Sequence, residues 1–536
     1  MLRLLRAQLR RDRWQLLYWI IGNAMLAMAS AAALAQEFGT AAERTAILRL
    51  ASGSPALLAI RGIPDGTSAG ATVYFEIFTY LALVAALMST FLTVRHTRGD
   101  EEGGRAELVG ATPVARSSAL TATLLLGLLA NVAMTILVTA GFGVAGLPIG
   151  GAVVAGLATG ATGLAFCGIA ALSAQLARTS RGANSIAGAL VGVAFLLRAV
   201  GDALGTASTD GLHVASGWPS WLSPIGLSQQ VRAWGSHESL LPLMANVALA
   251  VVTGGVAVLL VRRRDLGSGL VGESAGRGSA SRTLRGSFGL AWRLQRAGVA
   301  AWAVGGALLG VFAGGLADPA IAAIKDNGSL AAAVQGLVGG GTAGLFDTFV
   351  AAIMAFLGIL AAAAAIQAVL RARSEEVEGH AELLLSGQVG KARALLDSIL
   401  VALLSIVVVL LAGGFAAGAT FIAVGHPDRF GSSLAAAFVQ LPAALVFVAA
   451  SALLFAVLPQ LTVGIAWGLL TIGFVLGQFG GLLKLPAWLR DVSPFTHTPV
   501  VPGNDVDWTP LVAMVAISIV AAAAGVLLAR RRDLVT

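Results

Sequence analysis

Apolar runs of about 20 residues alternate with short breaks, charged or rich in Gly and Pro, along the whole chain. They lie at roughly 15–36, 73–94, 117–143, 149–176, 183–204 and 239–261, and again at 298–317, 347–370, 395–424, 433–459, 462–483 and 509–529. A helix needs about 20 apolar residues to cross the hydrocarbon core. Each run therefore predicts one spanning helix, and the pattern predicts an all-α polytopic membrane protein of about twelve spans. Their Gly and Ala content suits close helix packing in lipid. The opening "MLRLLRAQLRRDRW" predicts an amphipathic helix on the inner membrane surface. Its Arg residues, the following apolar run and Ala-Leu-Ala at 33–35 also resemble a cleavable signal peptide. The run 16–35 is long for that role and its counterpart in the second half is internal, so a retained first span is expected.

Composition agrees. Hydrophobic residues make up 57% of the chain and charged residues 12%, with a mean hydropathy of +0.85. A soluble chain carries about 25% charged residues. The net charge of +8 does not form one basic face. Of the 35 Lys and Arg, 26 fall in segments 1–14, 95–116, 177–182, 262–297, 371–394 and 530–536, which alternate with breaks that are poorer in them. Positive residues mark cytoplasmic segments. Both termini are therefore expected in the cytoplasm, with a turn near Pro459 on the same side, and the charge signals topology and no nucleic-acid partner. The single cysteine, Cys167, cannot form an intrachain disulfide.

The pattern repeats. "LLVRRRDL" at 259–266 is answered by "LLARRRDL" at 527–534, "RRDRWQLLYWIIG" at 10–22 by "RLQRAGVAAWAVG" at 293–305, and "SIAGALVGVAF" at 185–195 by "GIAWGLLTIGF" at 464–474. The order is the same in both halves. Residues 1–266 thus form a first six-span half, 267–287 a Gly/Ser-rich cytoplasmic linker, and 288–536 a second six-span half. An even number of spans per repeat predicts two halves related by an axis along the membrane normal.

The most specific repeat is charged. "RGDEEGGRAEL" occupies 98–108 and "RSEEVEGHAEL" 373–383, each between the second and third spans of its half. Neither holds Pro, and Glu, Ala and Leu favour helix. Arg98 can pair with Glu101 and Glu102, and Arg373 with Glu376; Glu378 and Glu382 flank His380. A solvated, self-neutralising loop is one reading. Two copies at matching positions favour another, a helix that docks on a soluble partner. There Glu101, Glu107, Glu376 and Glu382 would face basic groups or helix N-termini of the partner. Leu108 and Leu383 would anchor the helix to the bundle, and Gly104 and Gly379 would permit a bend. Major facilitator carriers also have six plus six spans and an acidic/basic Gly motif here. Their Asp-x-x-Gly-Arg-Arg/Lys is absent, because Ala106 follows Arg105 and the second copy lacks the basic pair. A secondary carrier is the weaker alternative.

With these features the chain resembles the membrane subunits of bacterial ABC exporters of the type-2 permease class, in particular the fused twelve-span permeases of polyketide-antibiotic and multidrug efflux. The resemblance rests on the basic N-terminal helix, the paired cassettes and the Arg-Arg-Arg-Asp-Leu endings, and covers nearly the whole chain. It implies that residues 98–108 and 373–383 are coupling helices seated in clefts of an ATPase subunit. The second copy departs at Val377 and His380, where the first has Glu102 and Arg105, so the two sites need not be equivalent. No Gly-x-x-x-x-Gly-Lys-Ser/Thr loop occurs in the sequence. The resemblance therefore implies two copies of a separate ATPase, carrying ATP and Mg, and a location in the bacterial cytoplasmic membrane. The chain itself is not expected to be an enzyme.

Ionisable residues within spans mark functional candidates. Glu76 lies beside Phe75, Phe78 and Tyr80 on the second span. Arg198 and Asp202, one turn apart on the fifth, suit a mutual ion pair. These residues are the candidate substrate route. Asp397 is expected at the interface rather than buried. No series of intramembrane charges suggests a proton relay, which points to hydrophobic or amphipathic cargo. The six histidines are scattered and predict no metal site, and no nucleophile–base arrangement is present. The outer loops 37–72, 205–238, 318–346 and 484–508 could fold into a small cap.

Overall fold

The computed structural model describes residues 1–270, 286–325, 345–479, 485–499 and 507–532, with positions 279, 284 and 501. Most of the linker, most of loop 318–346, parts of loop 484–508 and the final four residues lie outside this set. The chain is an all-α polytopic membrane protein in two compact units, Met1–Ala275 and Gly276–Thr536, with the border inside the Gly/Ser-rich segment.

The first unit opens with α1 (Leu2–Glu37), α2 (Ala41–Ser52) and α3 (Pro55–Arg61). Next come α4 (Ala69–Arg95), α5 (Arg98–Glu102), α6 (Arg105–Gly110), α7 (Ser118–Val144), α8 (Ile149–Leu176) and α9 (Ser180–Ala203). A two-residue hairpin, β1 (Thr206–Ala207) with β2 (Val214–Ala215), pairs antiparallel with Thr206 opposite Ala215. Short α10 (Trp218–Trp221) and α11 (Pro224–Gln229) then lead to α12 (Leu241–Arg263). The second unit contains α13 (Ser287–Lys325), α14 (Leu345–Val377), α15 (His380–Leu385), α16 (Lys391–Ala423), α17 (Phe430–Phe438), α18 (Leu441–Val457), α19 (Thr462–Phe474), α20 (Ala487–Arg490) and α21 (Trp508–Ala529).

Among the described residues, eleven helical segments are long and apolar enough to cross a bilayer. The eleventh expected span, 462–483, is shorter. The apolar helix there covers Thr462–Gln478, and its end loosens into a π-turn over Val475–Phe479. The tenth is broken between α17 and α18, where Pro442 sits in the first turn of α18 and has no N–H to continue the ladder.

One expectation changes at the N-terminus. The basic segment is not a separate surface helix but the start of the unbroken α1. Charge explains this. Asp12 on α1 is buried and meets His96 Nε2 at 2.7 Å and Arg95 at 3.3 Å, while Arg11 meets Asp100 at 2.6 Å. These partners hold the polar turns against the end of α4.

Small residues set the packing inside each unit. In the first, Gly156 and Gly160 of α8 face Thr139 and Thr135 of α7 so closely that a Cβ at either would overlap the threonine hydroxyl. In the second, Gly306, Gly310 and Gly314 of α13 meet Val409, Gly413 and Thr420 of α16. Without a hydrophobic driving force between helices in lipid, such close backbone approach supplies the dispersion contacts that hold them together.

Candidate functional site

Each cassette folds as helix, left-handed glycine and a short second helix. In the first unit α5 and α6 meet at Gly104, with φ 70°; in the second, α14 runs through the cassette to Val377 and α15 begins after Gly379, with φ 75°. An L side chain pays about 1–2 kcal/mol for this conformation. No atom lies within 4 Å of a Cβ added at either glycine. Gly379→Ala is thus expected to destabilise the purified chain by about 1 kcal/mol through backbone strain alone, and Gly379→Asn by less. Equal melting temperatures for wild type and both variants would contradict this.

The second acid of each cassette turns inward. Glu101 is gripped by two arginines. Arg98 Nη1 donates to its Oε2 at 2.8 Å, and Arg264, from the Arg-Arg-Arg-Asp-Leu ending, donates to Oε2 at 3.0 Å and Oε1 at 2.5 Å. Arg98 is fully buried and also donates to the carbonyls of Ala174 and Ser268, while Arg264 donates to Gln175 Oε1 at 3.1 Å. The second unit repeats the arrangement. Glu376 lies 3.3 Å from Arg373 and pairs closely with Arg532, the third arginine of the second ending. Arg532 donates to Phe455 O at 2.7 Å and lies 4.3 Å from the Phe455 ring centroid. Burial pushes the Arg532 guanidinium below its ordinary pKa, Glu376 opposes that shift and Arg373 adds to it. A desolvated guanidinium needs several acceptors, and in both units carbonyls at the end of the fourth long helix supply them. The repeated arginine endings therefore latch the cassettes to the bundle. The recurrence of the third arginine was the signal in the sequence.

Other charges are also spoken for. Glu102 does not pair with Arg98; it accepts from the backbone N–H of Ser180 at 2.8 Å, and also from the Ser180 hydroxyl, at the start of α9. Asp100 lies between Arg11, Arg105 and His96. Glu378 and Glu375 meet His380 at 3.3 and 3.2 Å. On the short second helix of each cassette, Glu107-Leu108 and Glu382-Leu383 are exposed side by side. Leu108 is 74% and Leu383 78% exposed. They do not anchor the short helices to the bundle, as the sequence suggested, because the buried arginine–glutamate latch already does so. For the same reason Glu101 and Glu376 point inward.

The expected substrate-route residues lie toward the opposite end of the first unit. Glu76 pairs with Arg61 of α3, and Thr79 donates to Arg61 O at 2.8 Å. Phe75 and Phe78 are buried, while Tyr80 is partly exposed. Arg198 and Asp202 are fully buried and paired at 3.2 Å, as their spacing predicts. Asp202 also accepts from Ser216, Ser220 and Gln229, and Arg198 from its other end donates to Ala59 O. This network ties α9 to the loops around it. Asp397 departs from expectation. It is buried, near Arg393 at 3.2 Å, beside a cavity of about 110 Å³ between α13, α14, α15 and α16. Residues of α13, α14 and α15 line the same cavity, which encloses Asp397 away from solvent.

The loops at that opposite end fold as a cap, and they gather residues that are scattered in the sequence. Asp65, His213 and His237 come together, with their ligand-capable atoms within 4.8 Å of one another. Burial raises the Asp65 pKa, but hydrogen bonds from His237 and His213 and the charge of Arg232 outweigh it, and the net shift is downward. Arg232 and Trp234 beside them take left-handed backbone angles, φ 54° and 57°. Each costs about 1–3 kcal/mol, so surrounding contacts must hold this turn.

Residues 284–530 match the family model described as the C-terminal domain of the multidrug efflux system permease Rv1217c. Over 535 residues the chain is 36% identical to the multidrug efflux system permease protein Rv1217c of Mycobacterium tuberculosis (strain ATCC 25618 / H37Rv), covering 99% of this chain and 94% of that protein.

Proposed function

Because the chain belongs to the family of multidrug efflux system permeases typified by Rv1217c, we propose that it is the membrane-spanning subunit of an ATP-driven exporter of the type-2 ABC class. Its cargo is hydrophobic or amphipathic, and separate ATPase subunits carry ATP and Mg. The chain crosses the cytoplasmic membrane twelve times as two parallel-related halves, with the cassettes and both termini in the cytoplasm. The observation that carries this reading is the matched pair of outward Glu-Leu steps, Glu107-Leu108 and Glu382-Leu383, each on a short helix held by a buried Arg–Glu–Arg latch.

That arrangement suits force transfer. The exposed leucine offers an apolar plug for a cleft, and the adjacent carboxylate suits the positive end of a helix or a basic side chain. A push on the short helix reaches Glu101 or Glu376, and through the latch reaches the ends of three long helices at once. ATP-driven closure of the partner pair then favours one conformation of the permease over another, which is what energetic coupling requires. Nothing in the geometry favours a facilitator-type carrier.

The test is reconstitution. Tagged permease expressed with an ATPase encoded beside its gene should purify with two ATPase chains per permease and export dye from vesicles only with ATP. Export that persists without ATP and collapses with a proton ionophore would instead establish a secondary carrier.

A further inference from the structure

The cap of the first unit contains a cluster that the efflux role does not use. Asp65 Oδ1 sits 2.8 Å from His237 Nδ1, 3.0 Å from His213 Nδ1 and 3.3 Å from Arg232 Nη1, while Oδ2 accepts the His237 backbone N–H at 2.9 Å. One carboxylate oxygen offers about two lone pairs, and three nitrogens crowd within 3.3 Å of Oδ1. The convergence of two imidazole nitrogens on a single acceptor is better explained if they share an ion with it. Ser236 Oγ lies 3.4 and 3.3 Å from the same two nitrogens.

We propose that Asp65, His213 and His237 form a binding site for a divalent transition-metal ion of the zinc type on the outer cap. Neutral imidazole and carboxylate suit such an ion, which takes ligands at about 2.0–2.2 Å in tetrahedral geometry. Three protein ligands leave a fourth position open. That position lies on the His237 side, where the ring is 63% exposed and gives the ion a path in. The far nitrogen of His213, Nε2, lies 3.7 Å from Asp210 Oδ2, beyond hydrogen-bond length, and the nearby carboxylate charge favours a proton on Nε2 and leaves Nδ1 to bind. Arg232 is the unfavourable neighbour, and it has other acceptors in Val214 O and Gln230 Oε1, each at 3.3 Å. Asp210 and Glu238, which accepts from Trp234 N at 2.9 Å, add negative charge nearby.

The ion would clip together three segments far apart in the sequence. Asp65 precedes α4, His213 lies in the turn of the β1–β2 hairpin, and His237 precedes α12. The Asp65–His213 backbone bridge already joins the first two. The ion would add the third, the segment with the strained left-handed residues.

The full chain, purified in detergent and stripped with a chelator, is titrated with Zn²⁺ against a chromophoric competitor. One equivalent of zinc should bind that His213→Ala/His237→Ala lacks. His237→Ala alone, which removes an exposed ring and little packing, should weaken that equivalent at least about tenfold, and Asp210→Asn should weaken it by a similar or smaller factor. X-ray absorption of the loaded chain should show nitrogen and oxygen neighbours at about 2.0–2.2 Å and no sulfur. Unchanged stoichiometry in the double variant, unchanged affinity in His237→Ala, or a sulfur shell from Cys167 would overturn the proposal. None of these readouts depends on transport or on an ATPase.

Discussion

Glu101→Ala is expected to destabilise the first unit by about 3–5 kcal/mol, the cost of leaving a buried charge without its partner. The variant strands Arg98, which is fully buried, and Arg264, which is nearly so. Carbonyls of Ala174 and Ser268 remain as acceptors, but none carries a compensating charge. Glu376→Ala should cost less, about 2 kcal/mol, because Arg373 and Arg532 are partly exposed and keep some hydration. Thermal unfolding in detergent, followed separately in each unit by tryptophan fluorescence or limited proteolysis, measures both. The companion variant Arg98→Met/Glu101→Leu/Arg264→Met should recover most of the lost stability, since a packed apolar replacement of a buried ion triad is often neutral or better. If Glu101→Ala melts with the wild type, the latch does not hold the cassette.

Leu108→Asp combined with Leu383→Asp should leave the chain folded and abolish stimulated ATP hydrolysis. Both side chains are mostly exposed, so their removal costs the permease little stability. In a docked complex each would be a central apolar contact worth about 2 kcal/mol, roughly a 30-fold loss of ATPase affinity per site. The two single variants report whether the cassettes contribute equally. Glu107→Arg with Glu382→Arg should act mainly on association rate and its salt dependence, as charges at an interface rim do. Titrating ATPase onto permease in nanodiscs, with hydrolysis and binding read together, separates these effects. Normal ATPase binding by the aspartate double variant would remove the cassettes from the docking surface.

These two experiments draw on different layers of information. Run length and charge were enough to place the long helices, because a span in lipid must be apolar over its whole length and must satisfy its backbone within itself. The same local rules located both cassettes and marked Gly104 and Gly379 as places for a bend; that each glycine is left-handed and divides two helices came from the structure. They also paired Arg198 with Asp202 and Arg98 with Glu101, since such contacts lie within one helical turn. They did not foresee the unbroken α1, whose polar turns are held by residues on α4.

What the sequence could not decide was direction. Whether Glu101 faces a partner or the bundle depends on Arg264, 163 residues away, and the orientation of Glu376 depends on Arg532, 156 residues away. The outward turn of Leu108 and Leu383, the burial of Asp397 and the meeting of Asp65 with two histidines are set in the same way. The amino-acid sequence by itself determined which segments become helices and where charge interrupts them. Only the packed tertiary structure decided which charges meet, because a desolvated ion takes whichever partner helix packing brings within reach, however distant that partner is along the chain.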